Sequence, residues 1–270
     1  MRIQVLVLAA MIVGCTPPET IPAAPDSIDA NLQWFWLHAV DGTDADLSTG
    51  AGQLSIAGKA DSRTMPLKAR GRIDLTSADL KPIGLESLDP EPAFPIVTVS
   101  FFNCTMDKLA AILSNPDQNA EYPNTWDKHD RTMEGDRDLF LARTNKTIGW
   151  TAQMNATFPV GDTYESVFKG SLRWVTPVKN EVPSDFLVAR LWLTAPATFT
   201  QANSTSYLRH DYEIEIFWEQ EPGKMFHAYG MWRDVRIGGF GYTLDNNDFF
   251  VLVSNNLVDF DKKTEMQCAK

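Results

Sequence analysis

Histidine is scarce in this chain. There are four, His38, His129, His210 and His227, and none stands in an H-x-E or H-E-x-x-H spacing that would hold a catalytic metal. No G-x-S-x-G elbow occurs, and Ser, His and Asp show no triad arrangement along the sequence. No metal, other cofactor or catalytic residue is therefore implied. Positive charge is also short: 24 Lys and Arg stand against 35 Asp and Glu, a net charge of −11. That balance argues against a nucleic-acid partner and against electrostatic docking on anionic lipid headgroups. Long apolar runs are missing too, since the longest, Ile3–Val13, is too short to span a bilayer as a stable helix.

What that run does offer is a leader. Arg2 supplies a positive charge, Ile3–Val13 an apolar core, and Ile12-Val13-Gly14-Cys15 follows directly. These four residues resemble the bacterial lipobox, in which small residues precede a cysteine that becomes diacylated and N-terminal. The resemblance implies a signal peptide over 1–14 and a lipidated Cys15. It also implies a lipoprotein of the bacterial cell envelope, palmitate-type acyl chains holding it to the membrane and Thr16 favouring the outer membrane. Whether it faces the periplasm or the exterior stays open, as does an ordinary secretory leader with an incidental cysteine. Two acyl chains give stable anchoring where one is marginal. Removing Arg2 leaves 23 basic against 35 acidic side chains. Cys104 and Cys268 remain, an even pair in a disulfide-permissive compartment, and a bridge between them is expected; two buried free thiols are the alternative.

Residues 15–26 contain four prolines and no apolar periodicity, and read as a lipidated tether. Ser27 then suits an N-cap, with Ile28, Leu32, Phe35 and Ala39 on one helical face. Trp34, Phe35 and Trp36 are too apolar to face water, so this helix is expected to dock. A weaker helical pattern over Asp44–Ala60 is interrupted by Gly50 and Gly52, and residues 27–92 read as an accessory helical segment.

Ile96–Phe102 alternates as a strand, and Thr105 caps a short helix with Met106, Leu109, Ala110 and Leu113. Asp127, His129, Asp130, Glu134, Asp136 and Asp138 read as a solvated acidic loop without EF-hand spacing, and Leu139–Ala142 as strand-like. Alternation then dominates: Ile148, Trp150, Ala152, Met154 and Ala156 share a face. Leu187, Ala189, Leu191 and Leu193 stand opposite Phe186, Val188, Arg190 and Trp192. Tyr212–Glu219 and Phe226–Val235 flank Glu221-Pro222-Gly223-Lys224, which fits a type II turn. Thr243–Met266 is the longest helical signal, with Phe249, Phe250, Val253, Leu257 and Phe260 in one stripe about 100° wide; for Phe249–Val253 alone a strand is the alternative.

This order over Ile96–Met266 resembles the helix-grip fold of the START-like and polyketide-cyclase superfamily. The resemblance implies an α+β domain over 93–270, a curved antiparallel sheet wrapped around a long C-terminal helix. It would also bring Cys104 near Cys268. The candidate lining between sheet and helix is Trp150, Met154, Phe168, Trp174, Trp192, Met231, Phe249 and Val253, and period-2 patterning does not separate a ligand cavity from a closed core. Arg190 and Arg233 face either inward or outward; an inward Arg needs a carboxylate such as Glu213 or Glu215. The leading expectation is a membrane-anchored protein binding a lipid-like hydrophobic molecule. A structural or interaction lipoprotein with a closed core is the alternative, and a cyclase- or hydrolase-type enzyme a third.

Overall fold

The computed structural model describes residues 21–60, 74–90, 93–158, 161–178, 182–201, 204–238, 242–243 and 247–270; for 57–60, 242–243 and 247–254 only the backbone is described. Helices α1 (Ile28–His38) and α2 (Asp44–Ala60) and a 3-10 turn (Ser77–Ile83) come first. Strand β1 (Phe94–Asn103), α3 (Met106–Leu113), α4 (Gln118–Glu121), β2 (Lys128–Glu134) and α5 (Arg137–Leu141) follow. The chain then runs through β3 (Thr147–Thr157), β4 (Thr163–Val175), β5 (Phe186–Leu193), β6 (Thr198–Phe199), β7 (Tyr207–Glu221), β8 (Lys224–Ile237) and β9 (Tyr242–Thr243) to α6 (Asn247–Cys268). The segments 1–14 and Cys15–Thr20, leader and lipidation site included, lie outside the described residues.

The strands form one antiparallel sheet in the order β1-β8-β7-β5-β4-β3-β2, with β6 on β4 and β9 on β8. Strands β7 and β8 join through Glu221–Lys224, where Gly223 takes φ +76°, a backbone state that L side chains resist. Helix α6 follows β9, which pairs with the Ile237 end of β8, packs Leu257 and Phe260 on the inner layer, and finishes where Cys268 bonds Cys104 just past β1. The long final helix therefore lies across the sheet, the helix-grip arrangement that the element order predicts. The strand alternative for Phe249–Val253 does not hold, because the whole stretch is helical.

Two apolar layers result, one on each face. The inner layer joins Ile96, Trp150, Met154, Phe168, Leu172, Trp174, Leu187, Phe217 and Met231 with Leu257 and Phe260 of α6. The outer layer joins Val97, Val188, Ile214, Trp218 and Trp232 with Leu32, Phe35 and Trp36 of α1 and Leu47, Ala51 and Leu54 of α2. An antiparallel sheet needs cover only on an apolar face; here the outer face is apolar along β5, β7 and β8, and the inner face is apolar along β3, β4 and β5 and mixed along β7 and β8. That explains why α1 carries three aromatic residues in a row: Trp34, Phe35 and Trp36 are all buried, between sheet, α2 and the preceding chain. Asp44 pins the layer at its far end, contacting Arg173 at 3.2 Å and Lys146 at 2.5 Å. Burial opposes its charge, but the bonds to Lys146, the Thr176 amide and Arg173 hold its carboxyl below the usual range.

Three local expectations are corrected. The acidic stretch after Asp127 is not a loop: Lys128–Glu134 is the edge strand β2, paired to β3 from Lys128↔Asn155 to Glu134↔Gly149. Leu139–Ala142 is not a strand, because Asp136 accepts from the Asp138 and Leu139 amides and starts α5. The glycines of α2 do not interrupt it, and packing on α1 keeps it helical.

Candidate functional site

The inner face of the sheet beneath α6 is the best candidate. Trp150, Met154, Phe168, Trp174 and Met231 all lie in the inner layer, as their parity predicts. Trp150 depends on its cross-strand partner Gly170: a Cβ there would sit 2.3 Å from the indole, so glycine makes room for it against β4. Arg131 of β2 stacks on the same indole, 4.3 Å from its centroid. Tyr122 stacks on Phe260 of α6 at 4.4 Å, and its hydroxyl meets Thr264 Oγ1 at 3.1 Å.

Trp192 does not belong to this lining. It packs with the outer layer, where Arg190 lies 5.2 Å from its ring and 5.4 Å from that of Trp36. Parity alone requires this, since its neighbours Leu191 and Leu193 face inward. Phe249 and Val253 lie on α6, and their side chains fall outside the description. Cys104 and Cys268 are bonded, their Cα atoms 5.2 Å apart, which fixes the end of α6 to the edge of the sheet.

The inner floor is not purely apolar. Strand β7 presents Asp211, Glu213 and Glu215, and β8 presents His227, Tyr229 and Arg233. Arg233 Nη2 lies 2.7 Å from Asp211 and 2.8 Å from Glu213, so Arg233 takes the inward, carboxylate-paired option. Arg190 takes the outward one, donating to the Trp36 carbonyl at 3.2 Å. Burial, followed by the charge of Asp211, raises the Glu213 carboxyl well above its ordinary range. Asp211 is also raised by burial, against the pull of Arg233. Both carboxyls thus sit where burial disfavours their charged forms, sharing the Arg233 guanidinium.

A second cluster ties helix to sheet. His227 meets Glu215 of β7 through Nε2 at 3.1 Å and Asp261 of α6 through Nδ1 at 2.9 Å. Ser100 of β1 donates to the other Asp261 oxygen. Burial lowers the imidazole, but Asp261 and Glu215 outweigh it and raise it to about 9. Ser100, His227 and Asp261 are the residue types of a triad in the wrong arrangement. The ring holds a carboxylate on each nitrogen and stays protonated, so it cannot take the serine proton. His129 behaves oppositely: burial, then the adjacent Arg131, lowers it to about 3 and keeps it neutral.

Among the described residues, five buried polar atoms on this face have no hydrogen-bond partner: Trp150 Nε1, Arg233 Nε, Asp211 Oδ1, His129 Nδ1 and His227 Nε2, the last facing Glu215 as an ion pair only. No group of three or more His, Cys, Asp or Glu with metal-binding geometry occurs among them. Sequence reading missed Ser100, His227 and Asp261 as a unit. The available signal was Asp261 following Phe260 at the edge of the α6 stripe, with His227 at an inward parity.

No family model and no curated protein matches the sequence. Solved structures similar in fold include a Thermus thermophilus protein at 9% identity, covering 65% of this chain and 97% of that one with a TM-score of 0.41. They also include the Zhui aromatase/cyclase of a Streptomyces strain at 10% identity, covering 65% and 93% with a TM-score of 0.39. A START superfamily protein of Mycobacterium smegmatis matches at 6% identity, covering 65% and 97% with a TM-score of 0.33. Likeness at these levels concerns the chain trace and transfers no site residue.

Proposed function

We propose that this protein is a lipoprotein, anchored through Cys15 in the bacterial outer membrane, that binds a hydrophobic molecule with a polar end between the sheet and α6. One observation carries the binding reading. Buried polar atoms without partners, Trp150 Nε1 and Arg233 Nε among them, share an interior with the apolar side chains of Met154, Phe168 and Met231. An unpaired buried donor or acceptor costs about 1–3 kcal/mol, and a bound polar end offsets that cost. The anchor reading rests on the leader and lipobox residues ending at Cys15.

The test is extraction. The chain from Thr16, secreted behind a cleavable leader, is to be extracted with organic solvent and the extract analysed by mass spectrometry. The stripped protein is then titrated with a fluorescent long-chain amphiphile. The expected outcome is a stoichiometric amphiphile, or saturable uptake that Arg233→Met weakens. Protein that is empty and takes up no probe overturns the reading. It would favour instead a scaffold or interaction lipoprotein, for which the close packing of aromatic residues on both sheet faces speaks.

A further inference from the structure

The described fold begins at Ile21, six residues after Cys15. Ile21 and Ala24 pack against the outer layer, and Trp34 Nε1 donates to the Pro22 carbonyl at 2.8 Å. Asn31 Nδ2 donates both to the Pro25 carbonyl at 2.8 Å and to the Gly50 carbonyl at 3.2 Å, so one side chain stitches the incoming chain to the middle of α2. Only Thr16–Thr20 separate Cys15 from Ile21. Six Cα steps span about 20 Å at most when fully extended.

The helix held by that stitch has a distinctive outer face. Ala45, Thr49, Gly52, Gln53 and Ile56 fall within about 100° of one another on the helical wheel, and Ile56 is 68% exposed. None of the five is charged, in a chain of net charge −11. Of the two acidic residues of α2, Asp44 is paired with Arg173 and Lys146, and Asp46, bonded to Thr43, stands at the border of the stripe beside Gln53.

We propose that this face of α2 rests on the bilayer that holds Cys15, with the sheet above it and α6 turned away from the membrane. The proposal rests on the lipid-anchor reading, because a short leash to the middle of α2 positions the helix only if the leash ends in lipid. An uncharged stripe meets headgroups without the repulsion that the rest of this acidic surface would bring. The binding interior would then lie on the far side of the sheet from the membrane.

The lipidated full chain, in vesicles of phosphatidylethanolamine and phosphatidylglycerol, tests this. Cys104 and Cys268 are bonded to each other, and Cys15 is capped by its thioether, so an added cysteine is the one free thiol. Bimane is attached at Thr49→Cys or Gln53→Cys on α2, and at Lys262→Cys on the exposed side of α6, and quenched by headgroup nitroxide lipid. The expected result is quenching at both α2 positions several-fold above that at position 262. Equal quenching, or α2 shielding that follows protein rather than lipid concentration, overturns the proposal and in the second case assigns the face to another copy of the chain. Intact mass is the separate control. An unmodified Cys15 overturns the anchor reading and this one with it, whereas a lipidated Cys15 with equal quenching overturns this one alone.

Discussion

Substituting Asp261→Asn removes one of the two carboxylates that hold the His227 proton while keeping the shape of the side chain. In the folded protein His227 is raised to about 9, against about 6.5 in an unfolded chain. The folded state therefore binds this proton more tightly than the unfolded one. The stabilisation is complete below pH 6.5 and is lost as the pH rises through 9. The gap corresponds to roughly 3 kcal/mol, and with the effect shared between Asp261 and Glu215 the substitution should cost about 1.5–2 kcal/mol at pH 6. At pH 9.5, with the ring largely neutral in both proteins, the difference should shrink below about 1 kcal/mol. Urea unfolding followed by tryptophan fluorescence at the two pH values measures it, and an NMR titration of the imidazole protons locates the His227 midpoint. A difference that is the same at both pH values, or a midpoint at or below 6.5, would refute the reasoning.

Further outcomes follow from other contacts. Replacing Cys104 and Cys268 together with alanine should lower stability in proportion to the loop they close: a separation of 164 residues gives about 5 kcal/mol in the chain-entropy model. Non-reducing peptide mapping should recover the cross-linked pair from the wild type. Gly170→Ala places a methyl 2.3 Å from the Trp150 indole, so the ring must move, at about 1–3 kcal/mol; near-ultraviolet circular dichroism should report the change. Trp36→Ala empties the contact between α1 and the outer face and should cost about 3–5 kcal/mol by urea titration.

The sequence discloses faces better than edges. In β5 the split between Leu187, Ala189, Leu191 and Leu193 and their neighbours holds residue by residue, because each set packs on its own apolar layer. Strand β2 escaped detection because its inward residues are His129, Arg131 and Met133. As an edge strand it needs no apolar alternation, and its pairing to β3 is a long-range fact. The polar floor was only half legible: alternation of Glu213 and Glu215 with Arg233 on a neighbouring strand suggested an ion pair. The His227 cluster joins residues from β1, β7, β8 and α6, whose meeting depends on register and on where α6 crosses. No local spacing encodes that.

The bond between Cys104 and Cys268 also decides how the molecule carries load. Tension applied between the N-terminal part and Lys270 runs through α1, α2 and β1 to Cys104, crosses the disulfide and leaves the chain two residues later. Everything from Thr105 to Gln267 is short-circuited. A pull on the tether would peel the outer helical layer and strip β1 from β8, while α6 and the other strands stay inside a covalent ring. The interior beneath α6 is thus mechanically insulated, and the outer layer is the fuse.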